Sequence, residues 1–160
     1  MRRFPTGVAV VAVHAGAQEL ALTVGTLVSL SLEPPLVGFG IRRDAALHEL
    51  LREAGAFAVS LLAAGQESLA QHFARGVPPI ALWEGIARRP GPETGAALLD
   101  GALGWIEARL VSEQEAGDHT WFVGEVLGAE PGANTPPLIH VGGGFRSVCL
   151  QGSSSTWTAS

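Results

Sequence analysis

One hundred and sixty residues at 16.5 kDa fit one domain, because two halves would each have too small a core. Ten basic residues, all arginine, stand against fifteen acidic ones, and the net charge of −5 argues against a nucleic-acid backbone or an anionic membrane as the main partner. A composition 47% hydrophobic and 16% charged is too apolar for a disordered chain, yet its apolar stretches are too short and interrupted to cross a bilayer as a helix.

Met1-Arg2-Arg3-Phe4-Pro5 lacks the continuous apolar segment of a secretory signal, which points to a cytoplasmic protein. Residues 8–13 (VAVVAV) form a β-branched run with no polar position, as in a strand buried on both faces. Residues 20–24 follow so closely that a hairpin through Ala15-Gly16-Ala17-Gln18 links the two. Residues 23–31, rich in hydroxyls and holding Gly25, read as a loop before a third strand at 36–41. Residues 44–55 predict a short amphipathic helix, with Asp44 as N-cap, Gly55 just past its end and Leu47, Leu50 and Leu51 inward.

A fourth strand is expected at 57–62, and a second helix at 66–75 with Leu69 and Phe73 inward. Residues 105–111 alternate, with Ile106, Ala108 and Leu110 on one face and Glu107 and Arg109 on the other, as in a half-exposed antiparallel strand. Residues 121–127 follow a turn at Gly117-Asp118, and 138–141 and 145–150 predict short closing strands around Gly142-Gly143-Gly144. Strands outnumber helices and rarely alternate with them, so the fold class is mainly β: a closed or sandwich-like antiparallel sheet with two or three short helices. The single domain covers 1–150, and the Gly/Ser-rich residues 151–160 read as a disordered tail.

Metal chemistry has no support. Cys149 is the only cysteine, so neither a disulfide framework nor a multi-cysteine zinc site can form, and His14, His48, His72 and His119 lack ligand spacing. Gly142-Gly143-Gly144 is neither ordered as GxGxxG nor followed by a helix pattern, and no nucleophile elbow is present. The segment 23–31 is the most informative. Its hydroxyls at Thr23, Thr26, Ser29 and Ser31 either line a site for a flat ligand or merely satisfy turn backbone groups. Arg42-Arg43 either holds a phosphate or pairs with Asp44 at the surface, and strand alternation lets only one of the two arginines face a ligand.

Phe4-Pro5-Thr6-Gly7-Val8, the run from Thr23 through Ser31-Leu32-Glu33-Pro34-Pro35, Phe57-Ala58-Val59-Ser60-Leu61-Leu62, Gly117-Asp118-His119 with Phe122-Val123-Gly124-Glu125-Val126, and Pro137-Leu138-Ile139-His140 together resemble the flavin reductase-like family. The resemblance extends from about Phe4 to Val148. It implies a Greek-key FMN-binding split β-barrel, found as a homodimer. The implied activity is NAD(P)H-dependent reduction of FMN or FAD, with reduced flavin passed to a partner monooxygenase. The resemblance places the flavin ring at Leu20, Ala21, Leu22 and Thr23, with Gly25, Thr26 and Ser29 beside it. Gly40, Ile41 and Arg42 would follow the ribityl chain and phosphate, Ala46 and Leu47 would meet the phosphate, and His72 and Phe73 would close over the flavin. His119, as the catalytic residue, and His140 with Gly143 would lie on the nicotinamide side. Gly25, Asp44-Ala45-Ala46 and Ser60 depart from residues common in the family, which keeps two alternatives open: a planar-ligand binder without turnover, and a flavin-free scaffold on the same fold.

Overall fold

The computed structural model describes residues 2–75 and 78–148. The predicted tail, and the end of the predicted strand at Cys149 and Leu150, lie outside the described residues. A two-residue strand β1 (Thr6–Gly7) leads into the hairpin β2 (Ala9–Ala15) and β3 (Gln18–Val24), turned by Gly16-Ala17. A second hairpin joins β4 (Val28–Leu32) to β5 (Pro35–Arg42). Helix α1 (Ala46–Ala54), strand β6 (Ala56–Leu61) and helix α2 (Glu67–Ala74) follow. After one 3-10 turn at Pro79–Ala81 come a small ribbon, β7 (Arg88–Pro90) with β8 (Ala97–Leu99), and the long hairpin β9 (Gly104–Ala116) and β10 (His119–Pro131). The last hairpin is β11 (Leu138–Val141) and β12 (Gly144–Ser147), whose turn needs two glycines because both Gly142 and Gly143 have positive φ.

Seven antiparallel strands pair in the order β3-β2-β6-β9-β10-β5-β4, and β1 joins β11 and β12 in a separate three-stranded sheet. The large sheet curls until its two edges approach. Thr26, in the link between β3 and β4, bridges the gap: its Oγ1 donates to the Gly40 carbonyl and accepts from the Gly40 N–H, each at 3.0 Å. This is a split antiparallel barrel.

The unbroken apolar run at 8–13 now has its reason. Alternate residues of β2 face two different cores. Ala9, Val11 and Val13 point into the barrel, where Phe39, Phe57 and Phe122 are fully buried and α1 closes one end with Leu47, Leu50 and Leu51. Each ring contributes roughly 1.5–3 kcal/mol by burial alone. Phe39 and Phe57 also meet edge-to-face at 5.0 Å. Gly124 sits where a Cβ would collide with Phe57, so the ring packs directly on β10 backbone. Val8, Val10 and Ala12 point outward, under α2 and the segment 96–99. Ser60 completes that outer core by accepting a hydrogen bond from the Leu99 N–H at 3.0 Å.

Four expectations change. Residues 23–31 are not one loop: 28–32 form edge strand β4, its two-residue period masked by serines, and only 25–27 connect. The N-cap of α1 is Ala45, with no side-chain cap; Asp44 turns instead to Arg42, because a two-pronged ionic hydrogen bond outweighs one cap bond. Glu107 does not face water: it is 4% exposed, and its Oε2 accepts from the Glu93 N–H, the Thr94 N–H and the Thr94 hydroxyl. The final strand begins one residue earlier than predicted, at Gly144, and among the described residues it ends at Ser147.

Candidate active site

β3 pairs on one side only, with β2. Backbone N–H and C=O groups directed away from β2 therefore have no strand partner, and such an edge must be covered or used. Part is covered by α2, whose Ala70 carbonyl accepts from the Thr23 hydroxyl at 2.8 Å. The remainder opens on a trough of three connected hollows. The middle hollow, about 310 Å³, lies between the end of β3, residues 40–42 of β5, and His119. It shares Leu22, Asp44 and Ala45 with a second of about 260 Å³, where the start of α1 faces Phe73, Arg75 and Leu82. It shares Thr23, Val24 and Gly25 with a third of about 190 Å³, bounded by Thr6, Ala74, His140 and Phe145.

The fold brings most of the expected residues to this trough. Leu20, Ala21 and Leu22 line it from β3, followed by Thr23, Gly25 and Thr26. Gly40, Ile41 and Arg42 come from β5, Ala46 and Leu47 from α1, and Phe73 from α2. His119 and His140 stand at opposite flanks of Gly25. Three residues lie elsewhere. Ser29 is exposed on β4 opposite Val37. Gly143 occupies the β11–β12 turn and lines none of the hollows. His72 bonds the Leu82 carbonyl through Nε2 at 2.8 Å, so it pins the segment after α2 instead of facing the trough.

The hydroxyls do less than their number suggests. Thr23 spends its proton on Ala70 and Thr26 spends its own on Gly40, so neither has one to give a ligand. Donors on this wall must come from the free backbone edge of β3. Small residues suit that purpose: Gly25, Gly40, Ala45 and Ala46 leave backbone within reach of a flat molecule.

Charge concentrates at one end. Arg42 donates from Nε and Nη2 to the two carboxylate oxygens of Asp44, at 2.9 and 2.7 Å, which holds the Asp44 carboxyl below its usual range. Arg75 has only a 3.4 Å contact to Gln71 and no carboxylate partner among the described residues. No motif singles Arg75 out, since a basic residue closing a helix is ordinary; packing of α2 on β3 brings it opposite the start of α1. That start carries unfilled backbone N–H groups, the positive end of a helix dipole, with no side chain capping them. At the other flank Asp118 accepts from His119 Nδ1 at 2.8 Å, and this hydrogen bond lowers the Asp118 pKa. An ionised carboxylate can only accept, so Nδ1 carries the proton and His119 Nε2 is the atom left for a ligand.

A split barrel with a trough along its open seam is the class of protein these features define. The family model described as "Flavin reductase like domain" matches residues 1–149, and the chain belongs to that family. It is 42% identical over 148 residues to the reductase component of 4-hydroxyphenylacetate 3-monooxygenase of Thermus thermophilus, covering 92% of each chain. It is 40% identical over 145 residues to an NADH-dependent FAD reductase of Streptomyces globisporus, covering 89% of this chain and 79% of that one. Among solved structures, the NADH:FAD oxidoreductase SgcE6 of Streptomyces globisporus with NAD and FAD fragments superposes with a TM-score of 0.88 at 37% identity, over 94% of this chain and 90% of that one.

Proposed function

We infer that the protein is an NADH-dependent reductase of FMN or FAD that supplies reduced flavin to a partner monooxygenase. Its relatives carry that activity in their names, as reductase components and as NADH-dependent flavin reductases. The observation that carries the reading is the pairing, across one trough, of an unpaired strand edge with an uncapped helix start. A flavin nucleotide needs both: backbone donors and acceptors for the edge of a flat ring, and a positive pole for a phosphate. Leu22, Thr23, Gly25 and Thr26 would hold the ring, and Arg75 and Arg42 would flank the phosphate at Ala46 and Leu47.

When bound, the flavin ring accepts hydride from the dihydronicotinamide, and that chemistry belongs to the two ligands. The chain's part is to hold them close with one ring face open. It needs no strong acid, base or nucleophile for this, and the titratable side chains lining the trough besides the arginines are His119, His140 and the Arg42-paired Asp44. His119, fixed by Asp118, would orient the nicotinamide through Nε2, with His140 bordering the far hollow.

The same reading extends to assembly: we infer a homodimer. Val28 and Leu30 of edge strand β4 are 41% and 46% exposed, and Trp121 lies beside Leu30 over Gly38 on the outer sheet face. The indole also reaches Gly40, which lines the trough, so a second copy on this face would wall the site. The decisive assay follows NADH absorbance with purified protein and added FMN or FAD. A flavin-dependent rate is expected; flavin binding without NADH oxidation, or no binding at all, refutes the assignment. Light scattering is expected to give twice the chain mass, and Leu30→Glu to reduce it.

A further inference from the structure

His48 is a buried histidine, 3% exposed, for which the proposed chemistry has no use. It stands third in α1. Its Nδ1 lies 3.0 Å from Glu49 Oε1 and its Nε2 2.7 Å from Thr120 Oγ1. The hydrogen bond to His48 keeps the Glu49 carboxyl below its usual range, so Glu49 accepts and Nδ1 carries the proton. With Nδ1 so engaged, Nε2 is the nitrogen that meets the Thr120 hydroxyl. Outside, Arg52 bonds Glu49 and also reaches Glu113 of β9 with two nitrogens, which holds Glu49 in place.

Thr120 is fully buried and stands between His119 and Trp121 on β10. One buried hydrogen bond therefore ties two walls of the trough: the start of α1, with Ala46 and Leu47, and the start of β10, with His119. Within α1 the first turn has no side-chain cap and is held by the buried Leu47 and by the His48 N–H bond to the Ala45 carbonyl at 2.9 Å. The His48 ring also meets Phe122 of β10 edge-to-face at 5.2 Å, and a backbone tie, from the Arg43 N–H to the Asp118 carbonyl at 3.0 Å, lies ahead of the helix.

We propose that His48 is a positioning residue, which through Thr120 sets the first turn of α1 over the trough and so governs the hold on a ligand phosphate. The proposal rests on the phosphate placement inferred above. It separates two ligands that share a ring: FMN has the phosphate and riboflavin lacks it.

Thr120→Val exchanges the hydroxyl for a methyl of similar shape. Flavin fluorescence titration is expected to show FMN dissociation constants raised about tenfold and riboflavin values unchanged. In NADH oxidation the loss is expected in KM for FMN, with kcat within about twofold. Thr120→Ser and His48→Gln, which keep a hydroxyl and a nitrogen or oxygen of similar reach, are expected to retain the FMN preference. Glu49→Ala is the second variant, on an exposed residue whose loss leaves the fold intact. It frees the imidazole to rotate and is expected to weaken FMN alone, by about threefold. Equal weakening of both flavins, or none, in both variants overturns the proposal. Wild-type protein that holds FMN no tighter than riboflavin overturns the phosphate placement with it; variants that keep a wild-type preference for FMN overturn only the role of His48.

Discussion

β5 and β10 run through two environments at once. On their inner faces Phe39, Ile41 and Phe122 are closed off from water, whereas on the outer faces Gly40, Arg42 and His119 line an open trough. Register fixes the division: Phe122 stands opposite Phe39 inside, and His119 opposite Arg42 outside. The inner face uses large rings because its free energy comes from area and close packing. The outer face uses glycine, alanine and forked ion pairs because its task is to leave backbone and charge accessible. Stability and recognition are thus carried by neighbouring residues of the same strands and should be separable by substitution.

The largest expected effect lies inside. Phe122→Ala removes a ring packed against Phe39 at 6.1 Å and against His48 at 5.2 Å. It should cost about 3–5 kcal/mol and lower the melting temperature by roughly 10–15 °C. A drop below about 5 °C in a thermal melt would mean that the barrel interior collapses around the cavity and is less tightly specified than its packing implies. Ala46→Trp tests the outer environment. The indole would occupy the trough from a position exposed at the helix start, so FMN affinity should fall at least tenfold, about 1.4 kcal/mol, while the melting temperature holds. Loss of both together would break the separation.

Smaller effects sharpen the charged end. Arg75→Ala should weaken FMN about fivefold and riboflavin not at all, because an exposed guanidinium contributes modestly to a phosphate. Arg42→Ala should do less, since Asp44 already holds that side chain. Asp44→Ser removes the nearest negative charge and releases Arg42, so FMN binding should tighten two- to threefold, by roughly the strength of an exposed ion pair. Titrating these three variants with FMN and riboflavin gives the order; a stronger loss for Arg42→Ala than for Arg75→Ala would show that the fork opens to take the phosphate.

What was legible in the sequence follows the same division. The interior announced itself: the run at 8–13 signals burial on two faces, and the leucines at 47, 50 and 51 signal a helix over a core. The trough was legible only through family resemblance, because the residues that form it are small and individually ordinary. β4 was missed because Ser29 and Ser31 dilute its period, and the 97–99 strand because three residues carry no period. Arg75 was missed because its neighbourhood arises from α2 packing on β3, about fifty residues away along the chain. His72 and Thr23 are both polar and near the site, and both spend a side-chain hydrogen bond on backbone, although Thr23 keeps its place on the trough wall.

The weakest expected effect concerns pH, and its sign is fixed by four carboxylates at the surface. Arg42 holds the Asp44 pKa down, His48 does the same for Glu49, Arg52 for Glu113, and His119 for Asp118. Each therefore binds protons less readily folded than unfolded. The stability they lend is complete above the unfolded value, about 4, and drains as pH falls through the lower folded values. All four carboxylates are exposed and screened, so the drain is shallow. Melting temperature should stay level from pH 7 to about 5 and decline only below about 4, with Glu113→Gln flattening part of that decline. Protonating Asp44 frees Arg42, as Asp44→Ser does, whereas protonating Glu49 and Glu113 loosens the tether of α1 to β9, so in Asp44→Ser protein the same acid range should loosen FMN more than riboflavin. Were both flavins released in parallel with unfolding, the charged rim would have no part in holding the phosphate, and the contrast between an inert interior and a working outer face would rest on shape alone.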